Sequence, residues 1–152
     1  MSFEPASLAQ ITKRWDGHWG GFVVTPERIY RPGDVEAVAL IADGREVAFV
    51  SWAAEPGGAE IVTLDAEVEG QGYGRAALDC VEGRIREAGG TYARLFTTND
   101  NVRAIGIYLR RGYRLARLHL DSMDRVRQLK PGVPLEANGL PLRDMWEFRK
   151  DL

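Results

Sequence analysis

Cysteine occurs once in the 152 residues, at Cys80. A single thiol cannot close an internal disulfide, so a packed core must hold the fold, and a reducing cytoplasmic setting is expected. Histidine is nearly as scarce, with only His18 and His119, and no cluster at metal-ligand spacing is visible. No metal centre is expected. A run of about 18 apolar residues is also missing, which argues against a membrane span. The opening MSFEPASLAQ has neither a basic leader nor an apolar core, so no secretory signal is expected. Twenty basic and 22 acidic residues are spread along the chain to a net charge of -2. Nucleic acid is therefore not an expected partner, because phosphate neutralisation needs a basic footprint. What remains, with 45% hydrophobic residues, is one soluble domain over residues 1–152 with a sizeable core.

Glycine is plentiful, and three glycines fall where they carry chemistry. Ile61, Val62 and Leu64 form an apolar run of strand length, and residues 76–88 place Leu78, Val81, Ile85 and Ala88 at helical spacing. Between them lie Gly70, Gly72 and Gly74 at alternate positions. A strand that feeds directly into a helix leaves the first-turn N–H groups without partners and sets the positive end of the macrodipole at the turn. Glycines there let an anion approach the backbone and permit the φ values that a nest requires. A tight turn that binds nothing is the plainer alternative. Three glycines would then weaken the local chain by roughly 0.5–1 kcal/mol each without return.

Two phosphate loops fail on the residues. A Walker loop needs Gly-Lys-Ser/Thr, but Arg75 and Ala76 follow Gly74. A dinucleotide fingerprint on Gly72, Gly74 and Ala77 needs a ribose-binding acid about 20 residues on. Phe96, Thr97 and Thr98 stand there instead.

Around this turn the chain reads as follows. Residues 5–13 form a short amphipathic helix with Leu8 and Ile11 on its apolar side, and residues 14–21 form an aromatic, glycine-punctuated loop. Short strands at 22–24 and 28–30 precede a hairpin, 37–41 and 46–53, on the Asp43-Gly44 turn. A further turn at 55–58 enters the strand of Glu60. Such a meander argues against a doubly wound sheet, in which helices alternate from the start. The helix after the glycine turn stops at Gly89-Gly90. Cys80 on it reads as a small core residue. A strand at 92–98 follows, and Asn99 or Asp100 caps a helix that ends before Gly112. On that helix Val102, Ile105 and Leu109 form an apolar stripe expected to pack on the sheet, while Asn101, Ala104 and Tyr108 share another face. A strand at 113–120, a helix at 122–130 capped by Asp121, an Asn138-Gly139 turn and a last strand at 144–149 complete the reading. His119 reads as a structural residue beside the core.

Two segments resemble the GNAT N-acyltransferases. That family's pyrophosphate loop reads Arg/Gln-x-x-Gly-x-Gly/Ala, and this chain has Glu69-Gly70-Gln71-Gly72-Tyr73-Gly74. Glu69 stands where a basic or amide residue is usual, which leaves the backbone amides of Gly70 to Arg75 to serve, with Arg75 as a source of positive charge. The second segment, Asn101-x-x-Ala104-x-x-x-Tyr108-x-x-x-Gly112-Tyr113, matches the family's Asn-x-x-Ala-x-x-x-Tyr-x-x-x-Gly-Phe/Tyr pattern at every fixed position. The segments 127–131 and 140–144 look like the C-terminal pattern of a bacterial subset of that family.

The resemblance implies a mixed α+β fold, with a mostly antiparallel sheet flanked by helices. Its first strand would be vestigial here, since only Ser2 to Glu4 precede Pro5. It implies acetyl-CoA or coenzyme A as cofactor and transfer of acetyl to a primary amine by direct attack. By the same likeness Leu64 and Ala66 would bond the pantetheine arm through their backbones. Gly70, Gln71, Gly72, Tyr73, Gly74 and Arg75 would seat the pyrophosphate, and Asn101 would hold the arm. Glu60 would be the general base, acting directly or through water. Tyr108 would give its proton to the departing thiolate, as a phenol that ordinarily titrates near ~10 can. Trp15, His18 and Trp19 fall where the family's acceptor site is lined; two tryptophans capping the core and an exposed histidine are the alternative. The acceptor, a small molecule or a protein amine, is left open, as is a homodimer. A CoA-binding sensor without turnover and transfer of another acyl group are the competing functions.

Overall fold

The structure, a computed structural model, describes residues 1–67 and 70–152. The departure noted at Glu69 lies outside the described residues. Seven strands form one mixed, mostly antiparallel sheet in the order β1-β4-β5-β6-β7-β11-β8, where β1 is Ser2–Pro5, β4 Glu36–Ala42, β5 Arg45–Glu55, β6 Gly58–Ala66, β7 Tyr92–Thr98, β8 Arg114–His119 and β11 Met145–Asp151. The short strands β2, Val23–Val24, and β3, Ile29–Tyr30, pair with each other, as do β9, Glu136–Ala137, and β10, Leu140–Pro141. Among the described residues there are four α-helices: α1 Leu8–His18, α2 Tyr73–Glu87, α3 Val102–Arg110 and α4 Ser122–Leu129. By contacts the chain divides into two compact units. One comprises Met1–Val23, Tyr30–Ala93 and Asp151–Leu152, and the other Val24–Ile29 and Arg94–Lys150.

In the first unit the meander forms as its turns dictate. Asp43 and Gly44 both take positive φ, 52° and 73°, so β4 and β5 meet through a two-residue turn whose twist suits a hairpin. Strand β1 is a correction to the sequence reading. Four residues suffice, because β1 pairs antiparallel with β4 from Ser2↔Ile41 to Pro5↔Val38. Pro5 is tolerated because β1 is the edge of the sheet, where a missing N–H leaves no ladder bond unmade.

Helix α1 also departs from expectation. Its N-cap is Ser7, whose side chain accepts from Gln10 N–H in a capping box, and it runs to His18 through the stretch read as a loop. Gly17 costs the helix about 1 kcal/mol relative to alanine. Ile11 and Trp15, four apart on one face, more than offset this by burial against Ala37 and Ala39 of β4, Phe49 and Ala53 of β5, and Tyr30. The alternate residues Val38, Leu40, Ala48 and Val50 are buried too, so both faces of β4 and β5 are covered. Helix α2 packs on β5 and β6 with Leu78, Val81 and Ile85 buried.

The return from α2 is held by a close approach. A Cβ at Gly58 would stand 2.5 Å from Tyr92 O and 2.7 Å from the Tyr92 ring. Gly58→Ala should therefore lower the urea midpoint by the equivalent of about 1–3 kcal/mol. Gly83→Ala, inside α2 with open space around it, should raise it by roughly 0.5–1 kcal/mol. Equal shifts for the two variants would contradict this packing.

The second unit is pinned by side chains. Asn99 Oδ1 accepts from the N–H groups of Arg143 and Asp144, and Asn99 Nδ2 donates to Pro141 O at 2.8 Å. Arg127 donates to Leu142 O and Pro134 O. The cap of α3 is Asn101, not Asn99 or Asp100: its Oδ1 accepts from Ala104 N–H at 3.3 Å. Asp121 stands at the N-cap of α4 but does not cap it through its side chain; its φ is 59° and its N–H donates to Asp144 Oδ1. The apolar stripe of α3 does not pack as expected. Val102 and Leu109 are 62% and 51% exposed, and the less exposed side carries Ala104, Ile105, Ile107 and Tyr108.

Candidate functional site

In the first unit the site grows from β6. Its ladder with β5 pairs Ser51 with Thr63 and Trp52 with Ile61, so Val62 is an extra residue and the strand bulges there. Beyond the bulge Glu67 N–H donates to Val47 O at 2.9 Å. Antiparallel pairs alternate between bonded and non-bonded, which makes Val50↔Leu64 and Ala48↔Ala66 the non-bonded ones. The N–H groups of Leu64 and Ala66 therefore point away from β5, off that ladder.

The glycine turn has the conformation an anion nest needs. Gly70 and Gly72 have φ of 80° and 77°, and a Cβ built on either meets nothing within 4 Å. Gly72 is the N-cap of α2, with no side-chain bond to the first turn and no acidic residue within it. Helices α1 and α3 are capped by the side chains of Ser7 and Asn101, whereas Gly72 offers no side chain to the first turn of α2, where the positive end of the macrodipole lies. Gly70, Gln71 and Arg75 are exposed, and Tyr73 and Gly74 half-buried. The turn thus takes no cap from its N-cap residue, and Gly70, Gln71 and Arg75 are accessible.

Glu60 lies before the bulge, opposite Ala53, and is only 1% exposed. Tyr30 of β3, itself 2% exposed, donates its hydroxyl to Glu60 Oε1 at 2.6 Å. A hydrogen bond of this kind satisfies buried polar groups that would otherwise cost free energy. Along the same face Ser51 and Thr63 pair through their hydroxyls at 2.5 Å. Nothing in the sequence flagged Tyr30, which reads there only as the end of a short strand, 30 residues from its partner.

The three aromatic positions of α1 have different fates. Trp15 is 0% exposed in the core, as the core-capping alternative holds. His18 is exposed, on the helix rather than in a loop, and its Nδ1 lies 3.1 Å from Arg14 O. Trp19, half-buried at the C-cap, directs Nε1 to Asp65 Oδ2 of β6 at 3.5 Å, and Arg14 joins the group through Glu46 at 2.6 Å and Asp65 at 3.7 Å. Cys80 is half-buried on α2. Burial pushes its thiol up from the ordinary value, against the Arg84 guanidinium, which lowers it, so the thiolate nucleophile is disfavoured.

In the second unit Asn101 opens α3 and Tyr108 lies two turns on. The Tyr108 ring meets Tyr113 edge-on at 5.9 Å and Phe148 at 6.2 Å, so its orientation is set by aromatic neighbours. His119 Nε2 lies 3.1 Å from Glu147 Oε1 and its ring stands edge-on to Phe96 at 5.3 Å. Arg94 bonds Glu27 at 2.8 Å.

Residues 26–113 match the family model described as Acetyltransferase (GNAT) family. The "uncharacterized protein YxbD" of Bacillus subtilis (strain 168) is 35% identical over 138 residues, covering 89% of this chain and 87% of that protein. Among solved structures, the IAA acetyltransferase from Bacillus cereus ATCC 14579 superposes with a TM-score of 0.80 at 15% identity over 99% of both chains. A GNAT family acetyltransferase from Elizabethkingia anophelis, with acetyl-CoA bound, gives 0.74 at 14% identity over 99% of this chain and 97% of that one. At such identities the structural likeness concerns the fold, while the matched residues and the Bacillus relative carry the kinship. The chain belongs to the GNAT acetyltransferase family.

Proposed function

We propose that this protein transfers an acetyl group from acetyl-CoA to a primary amine by direct attack. The observation that carries the reading is the pair of positive-φ glycines, Gly70 and Gly72, at the start of α2, the helix that follows β6. Acetyl-CoA, when bound, supplies an acetyl thioester as the activated group. The amides of Gly70 to Arg75 hold its pyrophosphate, with Gln71 and Tyr73 at the rim and the Arg75 charge in support. Leu64 and Ala66, whose N–H groups are turned off the β5 ladder, take the pantetheine arm, and Leu64 N–H stabilises the developing oxyanion. Asn101 holds the arm further along. With so little exposure, Glu60 receives the proton of the acceptor ammonium through an intervening water. Tyr108 gives a proton to the departing sulfur. Trp19 and His18 border the acceptor, and Trp15 supports them from the core.

Glu60's burial favours a second reading, a protein that binds CoA without turnover. Thermal unfolding with acetyl-CoA, CoA and NAD, followed by thiol-release assays on a panel of amines, separates the two. At about 100 times its dissociation constant, either CoA species should add roughly 2.7 kcal/mol. That corresponds to about 5–11 °C in a domain of this size. NAD should add nothing. A shift with CoA but no thiol release from any amine selects the sensor, and no shift with either CoA species defeats both readings.

A further inference from the structure

We infer that His119, oriented by Glu147, is a second proton acceptor of the transfer; the inference rests on the reading of acetyl transfer to a primary amine. The chemistry asks for one. An ammonium loses one proton before it can attack, and the tetrahedral adduct that follows still carries a positive nitrogen, which must lose another or the amine is expelled again. Glu60 takes the first proton and Tyr108 supplies the sulfur, so the second proton of the nitrogen needs a receiver of its own. His119 Nδ1 takes it and leaves a neutral nitrogen. The oxyanion pair then re-forms the carbonyl, and the C–S pair departs with the sulfur onto the Tyr108 proton. The imidazolium gives its proton to solvent, from which the Tyr108 phenol is restored.

The dyad lies wholly in the second unit. His119 ends β8, opposite Met145 of β11. Its Nε2 lies 3.1 Å from Glu147 Oε1, and both side chains are 14% exposed. An ionised carboxylate only accepts, so Nε2 carries the ring hydrogen and the lone pair is left to Nδ1, which bonds none of the described residues. Phe96 of β7 stands edge-on to the imidazole at 5.3 Å, with the Arg94 guanidinium over its own face at 5.4 Å. The charged groups around the dyad are Arg94, which lies 4.0 Å from Glu147 Oε1 and bonds Glu27, and Arg117, opposite Glu147 in the ladder. Past the end of β8, Asp144 accepts from Asp121 N–H. Enclosing so many titratable groups beside an aromatic ring costs free energy that a plain strand end would avoid. A base held by a carboxylate, with one nitrogen left over, is the arrangement that proton transfer needs. Phe148, next to Glu147 on β11, packs on the Tyr108 ring, so the acid and this second acceptor are built on adjacent residues of one strand.

The test is steady-state thiol release by intact His119→Gln and His119→Ala proteins, with acetyl-CoA and an amine that the parent acetylates. Glutamine can still donate an amide N–H to Glu147 but takes up no proton. Turnover should fall about 10²–10⁴-fold in both variants, with the KM for acetyl-CoA and the melting temperature close to those of the parent. Imidazole at rising concentration should restore part of the rate in His119→Ala, where the deleted ring leaves room for it. A merely structural histidine gives no such rescue. Parental turnover in either variant overturns the inference, as does a loss that imidazole leaves untouched in a His119→Ala protein that melts like the parent. Should His119→Ala unfold, 2-fluorohistidine at position 119 keeps the shape with a far weaker base; it should lose turnover, and full turnover in that protein also overturns the inference. A parent that binds CoA but releases thiol with no amine defeats the transfer reading, and this inference with it. A parent that turns over while its His119 variants match it defeats the inference alone.

Discussion

Tyr108→Phe is expected to reduce turnover by roughly 10²–10⁴-fold, the range that a positioned general acid supplies, while acetyl-CoA binds as before. The argument is one of separation. The ring packs on Tyr113 and Phe148, and Tyr108 O in the backbone of α3 accepts from Tyr113 N–H at 3.0 Å. Phenylalanine preserves all of these, so only the hydroxyl is lost. An expelled thiolate that finds no proton donor recombines or waits for water, and the deficit appears in kcat. Steady-state thiol release gives kcat, and calorimetric titration gives the affinity for acetyl-CoA. An unchanged kcat would assign protonation of the sulfur to water or to another group. A loss of affinity equal to the loss of turnover would make Tyr108 a binding residue only.

Local chemistry was legible in the sequence, and distant pairing was not. The glycine turn is legible because its demands are local: positive φ at Gly70 and Gly72 and an N-cap without a side chain follow from residue types within a few positions. The Asp43-Gly44 hairpin and the stop at Gly89, with φ of 85°, are legible for the same reason. Strand β1 was not, since four residues become a strand only when β4 offers an edge. The length of α1 was misjudged at Gly17, where local propensity speaks for a loop and the tertiary burial of Trp15 decides for a helix. On α3 the apolar period was real, yet burial followed the side of Ala104, Ile107 and Tyr108. The spacing of a motif and the buried face of a helix are separate facts. Tyr30 and Glu60 show the same limit within the site, for each residue is ordinary where it stands and only the fold joins them.

Trp15 decides how much of α1 is scaffold. It was read both as a wall of the acceptor site and as a cap of the core, and it is fully enclosed among Ile11, Tyr30, Ala37 and Phe49. Trp15→Ala should therefore cost about 3–5 kcal/mol, a lowering of roughly 6–20 °C at 2–4 °C per kcal/mol. Against a total stability of about 5–15 kcal/mol, that removes between about a fifth and all of it. Trp15→Phe is the more informative companion. The Trp15 indole nitrogen is buried with no hydrogen-bond partner among the described residues. Its removal relieves a desolvation penalty of about 1–3 kcal/mol, which offsets part of the lost packing. Chemical denaturation should accordingly place Trp15→Phe much nearer the parent than Trp15→Ala. Amine KM in the folded fraction should be unaltered in both if the residue is core. A Trp15→Ala protein with parental stability and a raised amine KM would instead return this side chain to the acceptor wall, and α1 would then have to open in solution to expose it.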